Sequence, residues 1–447
     1  MSISKKYIKP CYYFAMVLIM LVLTNLQSIA SEYKVANATE LAALKLLPGD
    51  KVILAGNDWK NQQLVFKGKG TEAKPITLMS ENPGQMICSG NTTLKIDGEW
   101  LVVDGLAFAH GYSEQADVIT FSKTTTHCRL TNTSILNYNH PDKTKDYKWV
   151  SVYGTHNRVD HCAFTGKTHQ GTTLVVWLSD KPNYHQIDHN YFGPRPDLGV
   201  NGGESIRIGT SEWSMYDSYT KVAYNIFDRC NGETEIISIK SGRNLISNNL
   251  FYECVGTLTF RHGNNSEVAH NFFIGNKIKN TGGIRVIGER QQVHDNYLQG
   301  LTGTDLRAAI SIMNTFVNPK LNEYWQVKNA NINNNIIVDC EVAFVIGAGK
   351  NEQRIVPPIG LSITDNYILR PTILIDQKDK PITAAIKNNQ VKGLALQEGF
   401  INFSLPIHKT ANKLYQIGDK PLETFWTIEK IGPKWFKNDY FKFLVEE

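Results

Sequence analysis

A short motif recurs through most of the chain and constrains its fold more than any other feature. The motif reads apolar-x-x-Asn-x-apolar, and three successive intervals between its central asparagines are 24, 22 and 25 residues. Eight copies carry the asparagine: Asn190, Asn225, Asn249, Asn271, Asn296, Asn335, Asn366 and Asn389. A period of this size, with short alternating strands and little helical signal between copies, predicts an all-β chain folded as a single parallel β-helix.

The repeated asparagines have a structural interpretation. A buried carboxamide that stacks on the carboxamide of the next coil satisfies its donors and its acceptor along the ladder. We therefore predict that these eight side chains belong to the scaffold and not to a catalytic site.

The chain begins with a predicted export signal, residues 1–30. Three lysines precede an apolar run from Phe14 to Leu23, and a small-x-small cleavage site ends at Ala30. A retained membrane anchor is disfavoured because the run is shorter than the roughly 20 residues that a span needs. Loss of the three lysines lowers the formal net charge from +5 to +2, so the charge indicates no nucleic-acid partner.

The mature chain is predicted to form one β-helix domain over residues 31–400. Leucines at helical spacing after Thr39 predict a short capping helix at about residues 36–48, over the open end of the coil. The motif fades after residue 400, and residues 401–447 are interpreted as a C-terminal cap and tail.

Six cysteines remain after the predicted signal. None has the spacing of a zinc ligand set. Cys230 and Cys254 could stack in adjacent coils, where a disulfide is sterically possible, but buried thiols are the favoured interpretation.

The stretch 231–264 concentrates the charged residues that could perform chemistry. Glu233 and Glu235 are two residues apart and can face one side of an extended strand, where they could hold a cation. Similar flanking residues predict that Lys240 and Arg261 stack on neighbouring strands about 4.8 Å apart, which is costly unless an anion binds there. Lys240 and Glu235 are an odd number of residues apart, so their side chains would point to opposite faces of a regular strand. A bulge between them is required if they share a groove.

A strand that precedes each asparagine motif carries a line of cationic side chains along one face of the coil. Its members are Arg207, Lys240, Arg261, His262 and Arg285. An exported coil with a cationic strip and a pair of carboxylates indicates an extracellular polyanion, and uronic-acid polysaccharides are the obvious candidates. A surface ion-pair ladder is the alternative interpretation of the same charges.

Cleavage of a uronic-acid polymer by β-elimination requires removal of the weakly acidic proton at C5. A divalent cation and guanidinium groups that neutralise the adjacent carboxylate would stabilise the enolate-like intermediate. Glutamate and amide oxygens are ligands that calcium prefers. A lysine can act as the base in its neutral form, which nearby positive charge favours, and Lys240 fits this role.

Three segments resemble the signature blocks of a known family, the polysaccharide lyases of the chondroitinase B and alginate lyase type, called lyase family six. The segments are residues 201–207, 231–244 and 260–264, within a resemblance that spans about residues 35 to 400. The resemblance implies a right-handed parallel β-helix. It does not include the large second domain that some members carry, which favours a monomer.

The resemblance also implies roles for individual residues. Calcium ligands are implied at Asn201, Glu233 and Glu235. The general base is implied at Lys240, the proton donor at Arg261, and substrate-binding residues at His262 and Arg285. Because a guanidinium is very hard to deprotonate, Arg261 could instead bind the carboxylate or the leaving oxygen while water supplies the proton.

These observations predict a calcium-dependent alginate lyase that is periplasmic or secreted. The same chemistry on dermatan or chondroitin sulfate is the nearest alternative, and a non-catalytic glycan-binding β-helix is the alternative of another class. A polygalacturonase-type hydrolase is disfavoured because such enzymes use clustered aspartates, and the chain contains no Asp-Asp pair.

Overall fold

The computed structural model describes residues 30–114, 116–419, 421–426 and 431–436. The predicted export signal lies outside these residues apart from Ala30. Within the described residues, no helix has both the length and the apolar character required to cross a bilayer.

Three parallel sheets run the length of the molecule, and the chain visits them in turn once per coil. Sheets A and B contain 14 strands each and sheet C contains 12. Each strand pairs with the strand one coil before it and one coil after it, and the apolar side chains between the sheets form one continuous core. The predicted parallel β-helix is confirmed.

The strands of the three sheets have the following bounds. Sheet A contains Glu32–Val35, Lys51–Leu54, Ile76–Ser80, Leu101–Asp104, Arg129–Thr131, Arg158–Asp160, Gln186–Asp188, Lys221–Ala223, Leu245–Ser247, Glu267–Ala269, Gln292–His294, Asn331–Asn333, Leu361–Thr364 and Ala384–Lys387. Sheet B contains Asp58–Lys60, Ile87–Gly90, Ala107–Gly111, Ser134–Leu136, Ala163–Thr165, Tyr191–Phe192, Ile226–Asp228, Leu250–Tyr252, Phe272–Ile274, Tyr297–Gln299, Ile336–Val338, Tyr367–Leu369, Asn389–Lys392 and Phe400–Asn402. Sheet C contains Gln63–Lys69, Thr93–Glu99, Ile119–Phe121, Val150–Val152, Leu174–Val176, Ile206–Ile208, Glu235–Lys240, Thr257–His262, Ile284–Val286, Ile310–Met313, Val342–Ala348 and Ile373–Gln377.

Helical structure is sparse in the described residues. It comprises one α-helix, Ala38–Ala43, and two short 3₁₀ helices, Ser211–Trp213 and Asp305–Arg307. A small antiparallel hairpin, Ile407–Lys409 with Tyr415–Ile417, follows the last coil.

A ladder of buried asparagine side chains lies between sheets A and B. From Asn190 to Asn389, each Nδ2 donates to the Oδ1 of the next asparagine at 2.8–3.0 Å. Each Oδ1 also accepts from a backbone N–H one coil earlier, and each Nδ2 also donates to a backbone carbonyl. The predicted scaffold role of these eight residues is confirmed.

The α-helix at the N-terminal end is shorter than the predicted segment 36–48. It covers only Ala38–Ala43, and its N-cap is Asn37 rather than Thr39. The Asn37 side chain accepts a hydrogen bond from the backbone N–H three residues further on at 2.9 Å, which supplies a partner that the first turn otherwise lacks. The helix packs its buried Leu41 onto the core at the open end of the coil, as a cap requires.

The predicted cap and tail, residues 401–447, begins within the last strand of sheet B, Phe400–Asn402, which pairs with the strand of the final coil. Its other described residues run back along the outer face of sheet B, where apolar side chains of successive coils would otherwise be exposed. The backbone N–H of Tyr415 donates to the Tyr297 hydroxyl at 2.7 Å, and Trp426 packs edge-on against Phe272. This segment shields one sheet and leaves sheet C open.

All six cysteines of the described chain are buried and free. Burial raises the pKa of the Cys88 and Cys340 thiols to about 12 because the charged thiolate loses its hydration. The favoured interpretation of these residues as packed thiols is confirmed.

Replacing one asparagine in the middle of the ladder should destabilise the whole coil. Asn271→Ala removes two side-chain bonds along the ladder and leaves the buried backbone N–H of Asn249 without its acceptor. The backbone carbonyls of Ile246 and Ala269 also lose the Nδ2 donor of Asn271. We expect the free energy of unfolding to fall by about 3 kcal/mol or more, since each unsatisfied buried group costs about 1–3 kcal/mol. Urea unfolding followed by circular dichroism measures this change.

The control is Asn402→Ala, at an exposed strand position. Its effect should stay within about 0.5 kcal/mol. Equal unfolding midpoints for the two variants would contradict the stabilising role of the ladder.

Candidate active site

An open pocket of about 670 Å³ lies beside sheet C and collects most of the predicted site residues. It is lined by six of the seven: Asn201, Glu233, Glu235, Lys240, Arg261 and Arg285. The seventh, His262, is only 1% exposed and lies outside the pocket lining. The sequence therefore identified one physical site, although it did not predict the burial of His262.

A bulge in the strand Glu235–Lys240 brings its two charged ends to the same face. The pairing with the following strand skips Ile236, whose side chain is buried. One extra residue reverses the alternation of side chains, so Glu235 and Lys240 both reach the pocket. The bulge required by their opposite parity is confirmed.

A second bulge changes the predicted relation between Lys240 and Arg261. In the strand Thr257–His262 the skipped residue is Arg261, and Lys240 pairs with His262. The prediction that Lys240 and Arg261 occupy directly paired positions is therefore wrong. This arrangement lowers the electrostatic repulsion on Lys240, because the residue paired with it is the neutral imidazole of His262 and not a second cation.

Glu233 is a partly buried carboxylate held by backbone N–H groups. The N–H groups of Gly202 and Gly203 donate to its Oε2 at 2.8 and 3.2 Å. Gly202 has φ +99°, a left-handed conformation that glycine adopts without strain. Burial, followed by the charges of Glu204 and Glu235, raises the pKa of Glu233 to about 7. No cation forms an ion pair with Glu233 in the described chain.

Glu235 is held differently, between polar and cationic neighbours. The Ser238 hydroxyl donates to its Oε2 at 2.5 Å. Nitrogen atoms of Arg285 and Arg261 lie 3.5 and 3.7 Å from its Oε1. The alternative of a complete ion-pair ladder does not fit, because neither Glu233 nor Lys240 has an oppositely charged partner among the residues described.

The amine of Lys240 makes no hydrogen bond or ion pair within the described structure, although it lines the pocket. Its side chain is half-buried at the end of its strand. An amine in this position is available to a substrate that occupies the pocket.

Besides its contact with Glu235, Arg261 is positioned by three further contacts. Its guanidinium lies 4.3 Å from the centre of the Tyr324 ring and donates to the Asn322 carbonyl at 3.0 Å. A third contact joins its Nη1 to His262 Nε2 at 3.2 Å. Burial, then the charges of Arg261 and Lys240, lower the pKa of His262 to about 2, so this neutral ring accepts a hydrogen bond from Arg261. His262 therefore orients Arg261.

Three residues of the site had no role in the sequence interpretation. Arg307 lines the pocket and donates to the Thr234 hydroxyl at 3.1 Å, and burial together with Arg285 lowers its pKa. Glu204 is buried beside Glu233 and accepts from a threonine hydroxyl. Glu204 stands in the quoted segment 201–207 and could have been found there, whereas Tyr324 comes from a loop that the repeat does not predict.

The residues present fit a calcium ion. Carboxylates of Glu233 and Glu235 and the side chain of Asn201 line the same pocket, and these are hard oxygen donors. Burial raises the pKa of Glu233 most, and the negative charges of Glu204 and Glu235 add repulsion. A divalent cation at this position would relieve that repulsion.

Comparisons with known proteins show the family and the fold to which the chain is similar. Residues 35–431 match the sequence model of the Chondroitinase B family. The chain is similar to the PL6 family alginate lyase AlyGC, with 39% identity and a TM-score of 0.86 over 91% of this chain and 59% of AlyGC. It thus spans about three fifths of the length of AlyGC.

Two further solved structures are similar. One is a mannuronic acid specific polysaccharide family 6 lyase from human gut microbiota, with 33% identity and a TM-score of 0.76 over 84% of this chain and 92% of the other. The other is the PL6 family polysaccharide lyase Pedsa3628 from Pseudopedobacter saltans, with 26% identity and a TM-score of 0.71 over 91% and 100% of the two chains. No curated protein matches the chain.

The raised pKa of Glu233 predicts a pH-dependent stability of the metal-free protein. A carboxyl whose pKa is higher in the folded than in the unfolded chain is favoured in its protonated form. The stabilisation that protonated Glu233 gives to the folded state is complete below pH 4.5 and is lost as the pH rises through about 7. Over this range we expect the wild type to lose roughly 2–3 kcal/mol relative to Glu233→Gln.

Thermal unfolding in the presence of a chelator, at stepped pH, measures this difference. Glu398→Gln serves as the matched control because its side chain is exposed and lies outside the pocket. If the stability of the wild type and of Glu233→Gln changed in the same way with pH, the raised pKa of Glu233 would be contradicted.

Proposed function

We propose, since the chain belongs to the Chondroitinase B family of polysaccharide lyases, that it cleaves alginate by calcium-dependent β-elimination. The observation that carries the proposal is the composition of the pocket beside sheet C. Four cationic side chains, Glu233 and Glu235 surround one space. Among the described residues Glu233 has no cationic partner, and the amine of Lys240 has no partner of its own. A uronate ring supplies both the carboxylate that the cations require and the C5 proton that an amine base removes.

In this proposal, arginines of the pocket bind the uronate carboxylate. Arg285 has a buried Nη2 without a partner, and Arg307 has a buried Nε without one. Guanidinium groups form charge-assisted, planar hydrogen bonds to carboxylates, and such bonds stabilise the negative charge that develops when the C5 proton leaves. Calcium held by Asn201, Glu233 and Glu235 would add positive charge next to the same carboxylate.

Lys240 acts as the general base in this proposal. A neutral amine takes the C5 proton, and the electron pair of the C–H bond forms the C4–C5 double bond while the bond from C4 to the glycosidic oxygen breaks. Because none of the described residues forms an ion pair with Lys240, its lone pair is accessible once the proton is lost.

Arg261 lies next to the base and completes the catalytic pair. Its contacts with Glu235, Tyr324 and His262 hold a charged guanidinium in a fixed orientation. This environment supports stabilisation of the leaving oxygen or of the carboxylate by Arg261. A water molecule then supplies the proton to the leaving group.

Alginate is the preferred substrate class because two of the similar structures are described as acting on it or its mannuronate component. Dermatan or chondroitin sulfate is the second candidate, since the family model that matches is named for chondroitinase B. The predicted signal peptide supports export to the periplasm or the medium, where such polymers occur. The open face of sheet C supports action as a monomer.

Removing the amine of Lys240 should abolish turnover without unfolding the protein. We expect Lys240→Ala to lower kcat by about 10²–10⁴-fold, the usual contribution of a general base. Ultraviolet absorbance of the unsaturated product, followed on poly-mannuronate, poly-guluronate and dermatan sulfate, measures both the loss and the substrate class.

Lys221→Ala, at an exposed strand position of sheet A, is the control and should retain full activity. Full activity of Lys240→Ala would remove the base assignment. If the wild type cleaved dermatan sulfate and neither form of alginate, dermatan sulfate would replace alginate as the proposed substrate. If the wild type bound these polymers but cleaved none of them, the glycan-binding alternative would be favoured.

Calcium removal provides a separate test of the acidic pair. Chelation should abolish activity, and added calcium should restore it. Isothermal titration should show at least about tenfold weaker calcium binding by Glu233→Gln, because affinity depends on the number of charged ligands. Unchanged calcium affinity in this variant, or full activity under chelation, would contradict the calcium assignment.

A further inference from the structure

Two histidines and an aspartate come together at the corner between sheets A and B. They are His270, His294 and Asp295, and their ligand atoms all lie within 4.8 Å of one another. His270 and Asp295 also line an open pocket of about 620 Å³, whose other walls include Leu422 and Phe425 from the segment after the last coil. None of the three lines the pocket of the proposed active site.

The repeat of the coil explains why these side chains meet. His270 and Asp295 each precede a ladder asparagine, and both have a left-handed backbone, with φ of +57° and +55°. They therefore occupy the same position in successive coils, about 4.8 Å apart at the backbone. His294 ends its strand and is paired with Ala269, the residue before His270. The ring centres of the two histidines are 6.0 Å apart, with an angle of 85° between the planes.

The ring of His294 is held between two carboxylates. Its Nδ1 lies 2.7 Å from Asp295 Oδ2, and its Nε2 lies 3.2 Å from Glu267 Oε1. A metal-bound histidine usually binds the ion through one ring nitrogen and donates the N–H of the other to a carboxylate, which fixes the ring. Glu267 can accept the hydrogen bond from Nε2, so that Nδ1 and the Asp295 carboxylate face one ion together. His294 is therefore already oriented for a metal.

The two carboxylates beside His294 are not neutralised by a basic side chain. Within the described part of the chain, no lysine or arginine forms an ion pair with Asp295 or Glu267. A second histidine before a ladder asparagine provides a contrast. His189 is also bonded to an aspartate, Asp188 at 2.8 Å, but Arg158 holds that carboxylate at 2.6 Å. The negative charge beside His294 is thus available to a cation, whereas the charge beside His189 is compensated.

The donor set indicates an ion of the zinc class and not calcium. Imidazole nitrogens suit zinc, copper and nickel, whereas calcium takes oxygen ligands. Zinc often binds three protein ligands and one water at about 2.0–2.2 Å, so that neighbouring ligand atoms stand roughly 3.3 Å apart. The present spacing of up to 4.8 Å requires a closure of roughly 1–2 Å. Rotation of the His270 side chain can supply this closure, because it is exposed.

We propose that His270, His294 and Asp295 bind one divalent ion of the zinc class. Glu267 is a positioning residue in this site, because it orients His294. The site is distinct from the calcium site proposed beside sheet C, since the two share no residue. The ion binds residues that only the folded coil brings together, and it therefore stabilises the folded chain. This inference does not rest on the proposed function.

The test titrates zinc into the full chain by isothermal calorimetry. Calcium is kept in excess, so that the proposed calcium site is occupied throughout. The wild type should bind one zinc ion per chain. Loss of a residue that only orients a metal ligand costs about 10- to 100-fold in affinity. We therefore expect a loss in that range for Glu267→Ala and a loss of about 100-fold or more for His294→Ala.

His189→Ala is the matched control. His189 also precedes a ladder asparagine, has a left-handed backbone and is bonded to an aspartate, but it lies outside the proposed site. Its zinc affinity should equal that of the wild type.

A second variant covers the case in which His294→Ala folds poorly. His270→Ala changes only an exposed side chain and should also lower zinc affinity about 100-fold or more, since a ligand is lost. Thermal unfolding adds a separate readout, because an ion that binds only the folded chain raises Tm. Excess zinc should raise the Tm of the wild type and of His189→Ala by a few degrees and leave that of His270→Ala unchanged.

The outcomes decide the proposal without any polysaccharide, so they are independent of the lyase function. Equal zinc affinity in the wild type, His270→Ala and His294→Ala would overturn it. Loss of zinc binding in Glu233→Gln but in neither histidine variant would also overturn it, because zinc would then occupy the proposed active site. Binding of calcium but not of zinc at His294, measured by the same titrations, would overturn the assigned class of ion.

Discussion

The stacking of one coil on the next is the constraint on which every other feature of this protein depends. The buried asparagine ladder fixes that stacking, because each carboxamide is bonded to the carboxamides above and below it and to the backbone of a neighbouring coil. A shift of one residue in any coil would break these bonds and expose apolar side chains. The ladder therefore holds the strands of sheet C in a register in which residues more than 30 positions apart in sequence, such as Asn201 and Glu233, line one pocket.

The candidate active site arises where the regular stacking is interrupted. Two bulges in adjacent strands, at Ile236 and Arg261, turn a uniform ladder into a cluster of opposite charges. The first bulge carries Glu235 to the same face as Lys240, and the second separates Lys240 from direct pairing with Arg261. A strictly regular coil would place one of these groups in the core or would stack two cations, both of which are costly.

The sequence predicted the coil because its repeats are local and periodic. The asparagine ladder, the parallel β-helix and the six predicted site residues that line the pocket follow from spacing or from the resemblance to a family. The pairing of Lys240 with His262 did not follow, because one extra residue in a strand leaves no signal in the periodicity. The loop that carries Tyr324 to Arg261 lies 61 to 63 residues further on, at a position that is not repeated. The path of the described residues after the last coil depends on apolar residues of sheet B, which alternate like those of any strand.

The balance of charge along sheet C links the site to its proposed ligand. The pocket of Lys240 contains four cationic side chains and three acidic ones, Asp197, Glu233 and Glu235. A calcium ion held by the acids would raise the net positive charge further, beyond what the single carboxylate of one uronate can neutralise. Arg207, one coil before Lys240, and the exposed Lys123 and Lys181, further toward the N-terminal end, add positive charge along sheet C. A polymer with one negative charge on every sugar unit matches such an extended strip, whereas a small monovalent anion would leave most of it uncompensated.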